Sequence, residues 1–205
     1  MTFLSFKENL KDFVVFNLSD IRKIDTRFDL RRLSEWRDKG YIKMIRKGYY
    51  AFSDLTINEQ TLFLMANKVY APSYISLEMA LSYYNLIPEA VYGITSVATR
   101  KTNRFKTDYG EFIYRNIKPV LMFGYKLIVY KNHNIKIAEI EKAVLDHFYL
   151  NTHLCSEHDF DGMRFKSEEF KSAADRNKFN QYLKEFGNKS LAKRIKAFLK
   201  HINYD

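Results

Sequence analysis

The sequence contains little cysteine, proline or glycine, and each shortage narrows the range of structures. A single cysteine, Cys155, among 205 residues excludes an intramolecular disulfide framework and fits a reducing compartment. Three prolines and seven glycines predict mostly regular secondary structure with short connections. The N-terminal segment meets charged residues before any long apolar run develops, and no other stretch is apolar enough to span a bilayer. We therefore expect a cytoplasmic protein without a membrane partner.

Aromatic residues, in contrast, are abundant. The chain has 17 Phe and 15 Tyr, and 46% of its residues are hydrophobic. Each buried aromatic ring removes a large apolar area from water, so this composition is typical of a folded chain. It is sufficient for one large domain or two small ones.

Positive charge exceeds negative charge. The 34 Lys and Arg residues against 24 Asp and Glu residues give a formal net charge of +10. Bases are concentrated between residues 22 and 47 and again between residues 164 and 200. A basic chain of this kind favours a polyanionic partner, although charge alone does not identify it.

The basic N-terminal segment has the pattern of three helices followed by a hairpin. In DLRRLSEWRDKGYIKMIRKGYYAF (29–52), Leu30, Leu33 and Trp36 recur at helical spacing, and Gly40 ends the pattern. Thr26 and Asp29 resemble a capping box at the start of this helix. Two short strands around residues 46–48 follow. The order is that of a winged helix-turn-helix, which we assign to residues 1–53.

The proposed geometry assigns a role in DNA binding to each exposed base. Opposite the apolar face of the helix, Arg31 and Glu35, with Arg32 beside them, are expected to contact base edges in the major groove. Phosphate contacts are expected from the preceding turn and from the hairpin, through Arg27, Lys43, Arg46 and Lys47. A solvated basic helix without a DNA partner has the same pattern.

Residues 57–205 are predicted to form a second domain. Two helical segments lead into segments rich in β-branched and aromatic residues, which predict a small antiparallel sheet, and several helices follow. The expected fold class is therefore α+β. Arg100, Lys101, Arg104 and Lys106 cluster in one connection and predict a second basic surface, which either assists DNA binding or acts in a separate function of this domain.

Signals of catalysis are weak. The phosphate-binding, dinucleotide-binding, zincin and hydrolase motifs are absent from the sequence. The segment HLCSEHDFD contains His153, Cys155 and His158, but their spacing matches no paired-ligand pattern. Glu141 and Asp146 have no obvious catalytic partner in the sequence. We expect no enzyme activity, no metal and no cofactor.

Several segments together resemble the AbiE-type (AbiEi-like) antitoxin family of type IV toxin–antitoxin systems. These are the segment at 29–52, PSYISLEMALSYYNLIPEAVYGITSVATRK, FGYKLIVY and IKIAEIEKAVLDHFYL, in that order. The resemblance implies a winged helix-turn-helix that represses its own promoter by binding inverted repeats in double-stranded DNA. It also implies a C-terminal domain that counters a nucleotidyltransferase-like toxin without a stable complex.

Three alternatives remain open at this point. The chain could be a stand-alone transcriptional regulator without antitoxin activity. It could be an adaptor whose winged helix binds an acidic protein instead of DNA. It could also be an enzyme acting on nucleic acid, with His153, Cys155 and His158 as a metal centre.

Overall fold

The N-terminal part of the chain folds into three helices and a hairpin, in the order that the sequence predicts. The structure is a computed structural model that describes residues 1–88 and 92–204. The first elements are α1 (Phe3–Leu10), β1 (Phe16–Asn17), α2 (Leu18–Ile24), α3 (Arg31–Asp38), β2 (Ile42–Arg46) and β3 (Tyr49–Phe52). The strands pair antiparallel in the order β1-β3-β2, so the strand that precedes α2 borders the hairpin.

A separate aromatic cluster holds these elements together. Its central ring, Trp36 on α3, has its centroid 4.6 Å from that of Phe6 and 5.8 Å from that of Phe28. The cluster is drawn entirely from residues 6–52 and comprises Phe6, Leu10, Phe16, Ile21, Phe28, Leu33, Trp36, Ile42 and Phe52. Because burying aromatic and aliphatic side chains drives folding, this cluster fixes α3 against α1 and the hairpin.

The rest of the described chain is a mixed sheet with helices. The strands are β4 (Ser73–Ile75), β5 (Ile94–Ala98), β6 (Asn103–Thr107), β7 (Gly110–Asn116), β8 (Tyr125–Tyr130) and β9 (His133–Ala138). The helices are α4 (Glu59–Val69), α5 (Leu77–Tyr83), α6 (Ile140–Leu150), α7 (Glu157–Gly162), α8 (Ser167–Ala173), α9 (Arg176–Phe186) and α10 (Lys189–His201), with a 3-10 turn at Pro119–Leu121. The protein is therefore α+β, as expected.

The prediction of a small antiparallel sheet for this part is wrong in the size of the sheet and in the direction of some strand pairs. The sheet has six strands in the order β6-β7-β5-β4-β9-β8, and the β5–β7 and β4–β9 pairs are parallel. The short strand β4, which the sequence did not predict, lies between β5 and β9. All three of its residues are buried, and Ile75 pairs with Ile137 of β9. A three-residue buried strand carries too little periodicity to be recognised in the sequence.

A second hydrophobic cluster spans the sheet and the helices around α6. Helix α5 packs on α6, and α6 also contacts α9 and α10. Four residues from the first part of the chain, Val14, Val15, Ile45 and Ala51, belong to this larger cluster. The two parts are thus packed together, and the boundary between residues 53 and 57 stays a prediction.

A buried polar network ties β4 to α6. Lys142 and Asp146 are fully buried and form an ion pair one helical turn apart. The Asp146 carboxylate also accepts hydrogen bonds from the hydroxyls of Tyr74 and Ser76, both at 2.8 Å. Burial lowers the pKa of Lys142, and the Asp146 carboxylate opposes that shift. Asp146, a carboxylate that the sequence singled out as a catalytic candidate, thus has a structural role.

Glu141, the second carboxylate considered for catalysis, also accepts a hydrogen bond inside the protein. Its Oε1 accepts the backbone N–H of Asp175 at 2.8 Å, at the start of α9. The contact caps a second helix across the interface of α6 and α9. Both predicted carboxylates are therefore used to hold helices in place.

Candidate nucleic-acid interface

Helix α3 buries one face and leaves the opposite face open. Leu33 and Trp36 are 6% and 3% exposed, whereas Arg31 and Glu35 on the other side are exposed. Arg32 is half-buried beside them. The two faces of α3 are therefore divided as predicted, except that Leu30, which was predicted to share the apolar face, precedes the helix and is 49% exposed. Whether the outer face contacts base edges stays a prediction.

The start of α3 differs from the predicted capping box. Helix α3 begins at Arg31, and its N-cap residue, Leu30, offers no side-chain hydrogen bond. Instead, Asp29 accepts the backbone N–H of Arg31 at 3.0 Å and the Nη2 of the same residue at 2.8 Å. These bonds to Arg31 lower the pKa of the Asp29 carboxyl. The Arg31 guanidinium is thus held at the helix start by a partner in open solvent, which a phosphate or base could replace.

Glu35, a second exposed charge of α3, is also paired. Glu35 Oε1 accepts a hydrogen bond from Lys39 Nζ at 2.6 Å across one turn of the helix. This bond lowers the pKa of the Glu35 carboxyl, so the side chain is an ionised hydrogen-bond acceptor at neutral pH. An acceptor in this position can pair with the amino group of cytosine. Arg27, in the turn before α3, is exposed as well.

The hairpin presents two exposed lysines. Lys43 lies on β2 and Lys47 in the turn, where Gly48 has a φ of +86° that favours glycine. The Lys43 ammonium lies 5.7 Å from the ring centroid of Tyr109, in the turn between β6 and β7. Both lysines are placed as the sequence predicts for a basic hairpin.

Arg46 differs from these two lysines. It is half-buried, and its Nη1 donates a hydrogen bond to the backbone carbonyl of Val69 at 2.8 Å. Its guanidinium carbon lies 4.3 Å from the ring centroid of Phe105 and 5.2 Å from that of Tyr70. Arg46 was predicted to bind phosphate with Lys43 and Lys47. In the structure its guanidinium attaches the hairpin to α4 and β6, because an arginine can stack on aromatic rings while it donates to a carbonyl. Phosphate binding by Arg46 stays a prediction.

The second predicted basic surface adjoins the hairpin. Along β6 the side chains alternate, so that Arg104 and Lys106 are exposed while Phe105 faces the protein. In the connection before β6, the Arg100 guanidinium lies 4.7 Å from the Tyr70 ring centroid, which is the ring that Arg46 also contacts. The hairpin and this connection therefore meet at one aromatic residue.

We use the name joint basic face for the bases of the hairpin and of the β5–β6 region: Lys43, Arg46, Lys47, Arg100, Lys101, Arg104 and Lys106. Acidic residues are few within its second part. The acidic residues between 99 and 111 are Asp108 and Glu111. Glu111 Oε1 forms an ion pair with Arg104 Nε at 2.8 Å. Among the ion pairs of the described residues, that of Arg104 is the only one that involves the joint basic face, and positive charge without ion-pair partners attracts a polyanion.

Tyr70 and Phe105 connect the two surfaces, and the sequence did not single them out. Tyr70 also donates its hydroxyl hydrogen to the backbone carbonyl of Lys101 at 2.7 Å. The contact joins positions about thirty residues apart, and periodicity carries no information about such pairs. The signal that could have pointed to them is the concentration of arginines near aromatic residues in the segment VATRKTNRF.

The segment with His153, Cys155 and His158 forms a helix cap. Asp159 accepts hydrogen bonds from the hydroxyl and the backbone N–H of Ser156 and from the backbone N–H of Cys155. These bonds, led by that from the Ser156 hydroxyl, lower the pKa of the Asp159 carboxyl to about 2. Within residues 1–88 and 92–204, no group of three or more His, Cys, Asp or Glu residues is arranged to hold a metal ion.

No protein-family model matches the sequence, and no curated protein is significantly similar to it. In the part of the chain that the structure describes, no helix has both the length and the apolar character that crossing a bilayer requires.

Proposed function

We propose that this chain is a transcriptional regulator that binds double-stranded DNA, including its own promoter, through a winged helix-turn-helix of residues 1–53. The observation that carries the proposal is the combination, on one packed unit, of α3 with its outward Arg31 and a hairpin with Lys43 and Lys47. The strand order β1-β3-β2 beside three helices supports the assignment of a winged helix-turn-helix.

The roles of the side chains follow from their placement. Arg31 and Glu35 enter the major groove, with Arg32 at the edge of the contact. Arg27, Lys43 and Lys47 bind phosphates and set the register of the protein on the duplex. Arg46 supports this contact indirectly, by fixing the hairpin on Tyr70 and Phe105. The bases of the β5–β6 region extend the phosphate contact along the same duplex.

We further propose that the protein is the antitoxin of a type IV toxin–antitoxin system. The support is the resemblance of the ordered segments described above to AbiE-type antitoxins. In this proposal, residues 57–205 counter a nucleotidyltransferase-like toxin without forming a stable complex with it. A reading frame of that kind beside the gene for this protein would add support.

The experiment for DNA binding is an anisotropy titration of the full chain with the duplex upstream of its own gene. It is run at two salt concentrations and against a scrambled competitor. We expect saturable binding that weakens steeply with salt and survives the competitor. Binding no better than that to scrambled DNA contradicts the proposal.

The experiment for antitoxin activity is co-expression with the neighbouring toxin gene, with cell growth as the readout. We expect rescue of growth by the wild-type chain and by a variant with Lys43→Ala and Lys47→Ala, because those lysines serve DNA binding. Failure of the wild-type chain to rescue growth removes the antitoxin role and leaves a stand-alone regulator.

One observation favours an adaptor that binds an acidic protein. Apolar side chains on the surface of the N-terminal unit are exposed beside its basic residues; Leu30 is 49% and Met44 42% exposed. Protein interfaces combine such apolar contacts with charge at the rim. Weak, non-saturating DNA binding together with tight binding of an acidic protein would favour this alternative.

A further inference from the structure

A cavity of about 520 Å³ lies between α5, α6, β5 and β7, outside the joint basic face. Its volume is in the range of small-molecule sites. Much of its wall is apolar, and the apolar side chains that line it are Leu77, Leu81, Ile87, Ile113 and Met163. Leu77 and Leu81 are each only 1% exposed, so the floor of the cavity is part of the packed core.

A carboxylate, a guanidinium and an imidazole also line this cavity. They are Glu78 on α5, Arg115 on β7 and His147 on α6. His147 Nδ1 lies 3.5 Å from Glu78 Oε1 and 3.2 Å from the side-chain amide nitrogen of Asn151.

The imidazole of His147 is neutral at pH 7, because its pKa lies below the ordinary value of about 6.5. Burial lowers its pKa, the Glu78 carboxylate opposes that shift, and His153 and Arg115 add to it. The Glu78 carboxylate consequently has a neutral ring beside it, with 3.5 Å between its Oε1 and His147 Nδ1.

Arg115 also lacks a partner of opposite charge among the described residues. Its Nη2 donates a hydrogen bond to the backbone carbonyl of Leu150 at 2.9 Å. Within residues 1–88 and 92–204, no carboxylate forms an ion pair with this guanidinium. Among the described residues that line the cavity, Glu78 is the one carboxylate and Arg115 the one guanidinium, and no described carboxylate pairs with Arg115.

We propose that this cavity binds a small zwitterion with an apolar side group, the chemical class of free apolar α-amino acids and their short peptides. The ligand ammonium pairs with Glu78, its carboxylate pairs with Arg115, and its side group packs against Leu81, Ile113 and Met163. A purely anionic or purely cationic molecule would satisfy one of the two protein charges and leave the other without a partner, which is unfavourable in a half-enclosed site.

The test is calorimetric titration of the full chain with leucine, methionine, phenylalanine and leucyl-leucine. Leucinamide, which lacks the carboxylate, and 4-methylpentanoate, which lacks the ammonium, serve as matched probes. We expect saturable binding of at least one of the four zwitterions and at least tenfold weaker binding of the two matched probes. No saturable binding of any zwitterion up to millimolar concentration overturns the proposal, as does equal binding of the matched probes.

Protein variants locate the site. Glu78→Gln and Arg115→Gln are expected to weaken zwitterion binding at least tenfold, and Arg104→Gln, a matched change outside the cavity, is expected to leave it unchanged. Met163→Trp fills the cavity without removing a charge and is expected to abolish binding, so the test does not depend on Arg115→Gln folding. Undiminished binding by a folded Met163→Trp protein overturns the proposal. None of these results depends on DNA binding.

Discussion

The guanidinium groups of Arg46 and Arg100 contact the same ring, that of Tyr70, at 5.2 Å and 4.7 Å from its centroid. Arg46 ends β2 of the hairpin, and Arg100 lies in the connection that leads into β6. Two basic segments that are far apart in the sequence are thus neighbours in space. In the proposed complex, a duplex bound by the hairpin also lies near the bases of the β5–β6 region.

Lys47→Ala is expected to weaken binding to all DNA sequences alike. A phosphate contact carries no sequence information, so affinity for the promoter and for scrambled DNA should fall by the same factor. The slope of log affinity against log salt concentration should decrease by about 1. Anisotropy titrations at several salt concentrations measure both effects.

Lys196→Ala, on an exposed face of α10, is the matched control for Lys47→Ala and should change neither quantity. A Lys47→Ala protein that loses affinity for the promoter alone would contradict the assignment of this residue to phosphate contact.

Arg31→Ala is expected to relax specificity at one position of the operator. A bidentate arginine–guanine contact discriminates against other bases, so affinity for the promoter should fall by roughly 5- to 150-fold and affinity for scrambled DNA much less. Titrations with a set of operators, each altered at one base pair, identify the position that Arg31 contacts.

Arg37→Ala provides the control on the same helix, because Arg37 lies on a different side of α3 from Arg31. If Arg31→Ala keeps the operator preference of the wild-type chain, α3 does not present Arg31 to the bases.

Arg46→Ala is expected to destabilise the protein, whereas Lys47→Ala is expected to have little effect on stability. Arg46→Ala removes the hydrogen bond to the Val69 carbonyl and the stacking on Phe105 and Tyr70, at a cost of about 1–3 kcal/mol. Urea unfolding followed by circular dichroism measures this cost. Lys47→Ala should alter stability by less than about 0.5 kcal/mol, because it is an exposed turn residue. Equal stability of the two variants would contradict the role of Arg46 in attaching the hairpin.

The sequence predicts the N-terminal unit well because its signals are local. The apolar positions of α3, the glycine at its end and the basic hairpin are all set by residues close together in the chain. Gly40, for example, ends the helix with a φ of +71°, a conformation that glycine adopts readily.

The second sheet and the role of Arg46 were not predictable in the same way. The parallel pairs β5–β7 and β4–β9 join segments separated by other elements, and periodicity does not specify a partner strand. Arg46 follows the pattern of an exposed basic turn, and only the positions of Tyr70 and Phe105 show that its guanidinium packs inward. Glu78, Arg115 and His147, which line the cavity, likewise come from three separate elements.

Lys142→Met is expected to cost more stability than a paired replacement at positions 142 and 146. Removing the ammonium alone leaves the Asp146 carboxylate buried with the hydroxyls of Tyr74 and Ser76, at a cost of about 3–5 kcal/mol. The double variant Lys142→Met with Asp146→Asn removes both charges and should be more stable than Lys142→Met. A double-mutant cycle in urea quantifies the coupling, and simple additivity of the two changes would contradict the network.

The stability of the protein is expected to depend on pH through His147. Burial lowers the pKa of this histidine below its ordinary value of about 6.5, with Glu78 opposing the shift and His153 and Arg115 reinforcing it. As the pH falls from about 7 towards 5, the unfolded chain binds a proton at this position before the folded chain does, so the free energy of unfolding decreases. His147→Gln should flatten that part of the stability curve, whereas His158→Gln, at an exposed position, should not. Urea unfolding at a series of pH values measures the slope, and an unchanged slope in His147→Gln would mean that the folded protein protonates His147 as readily as the unfolded chain does.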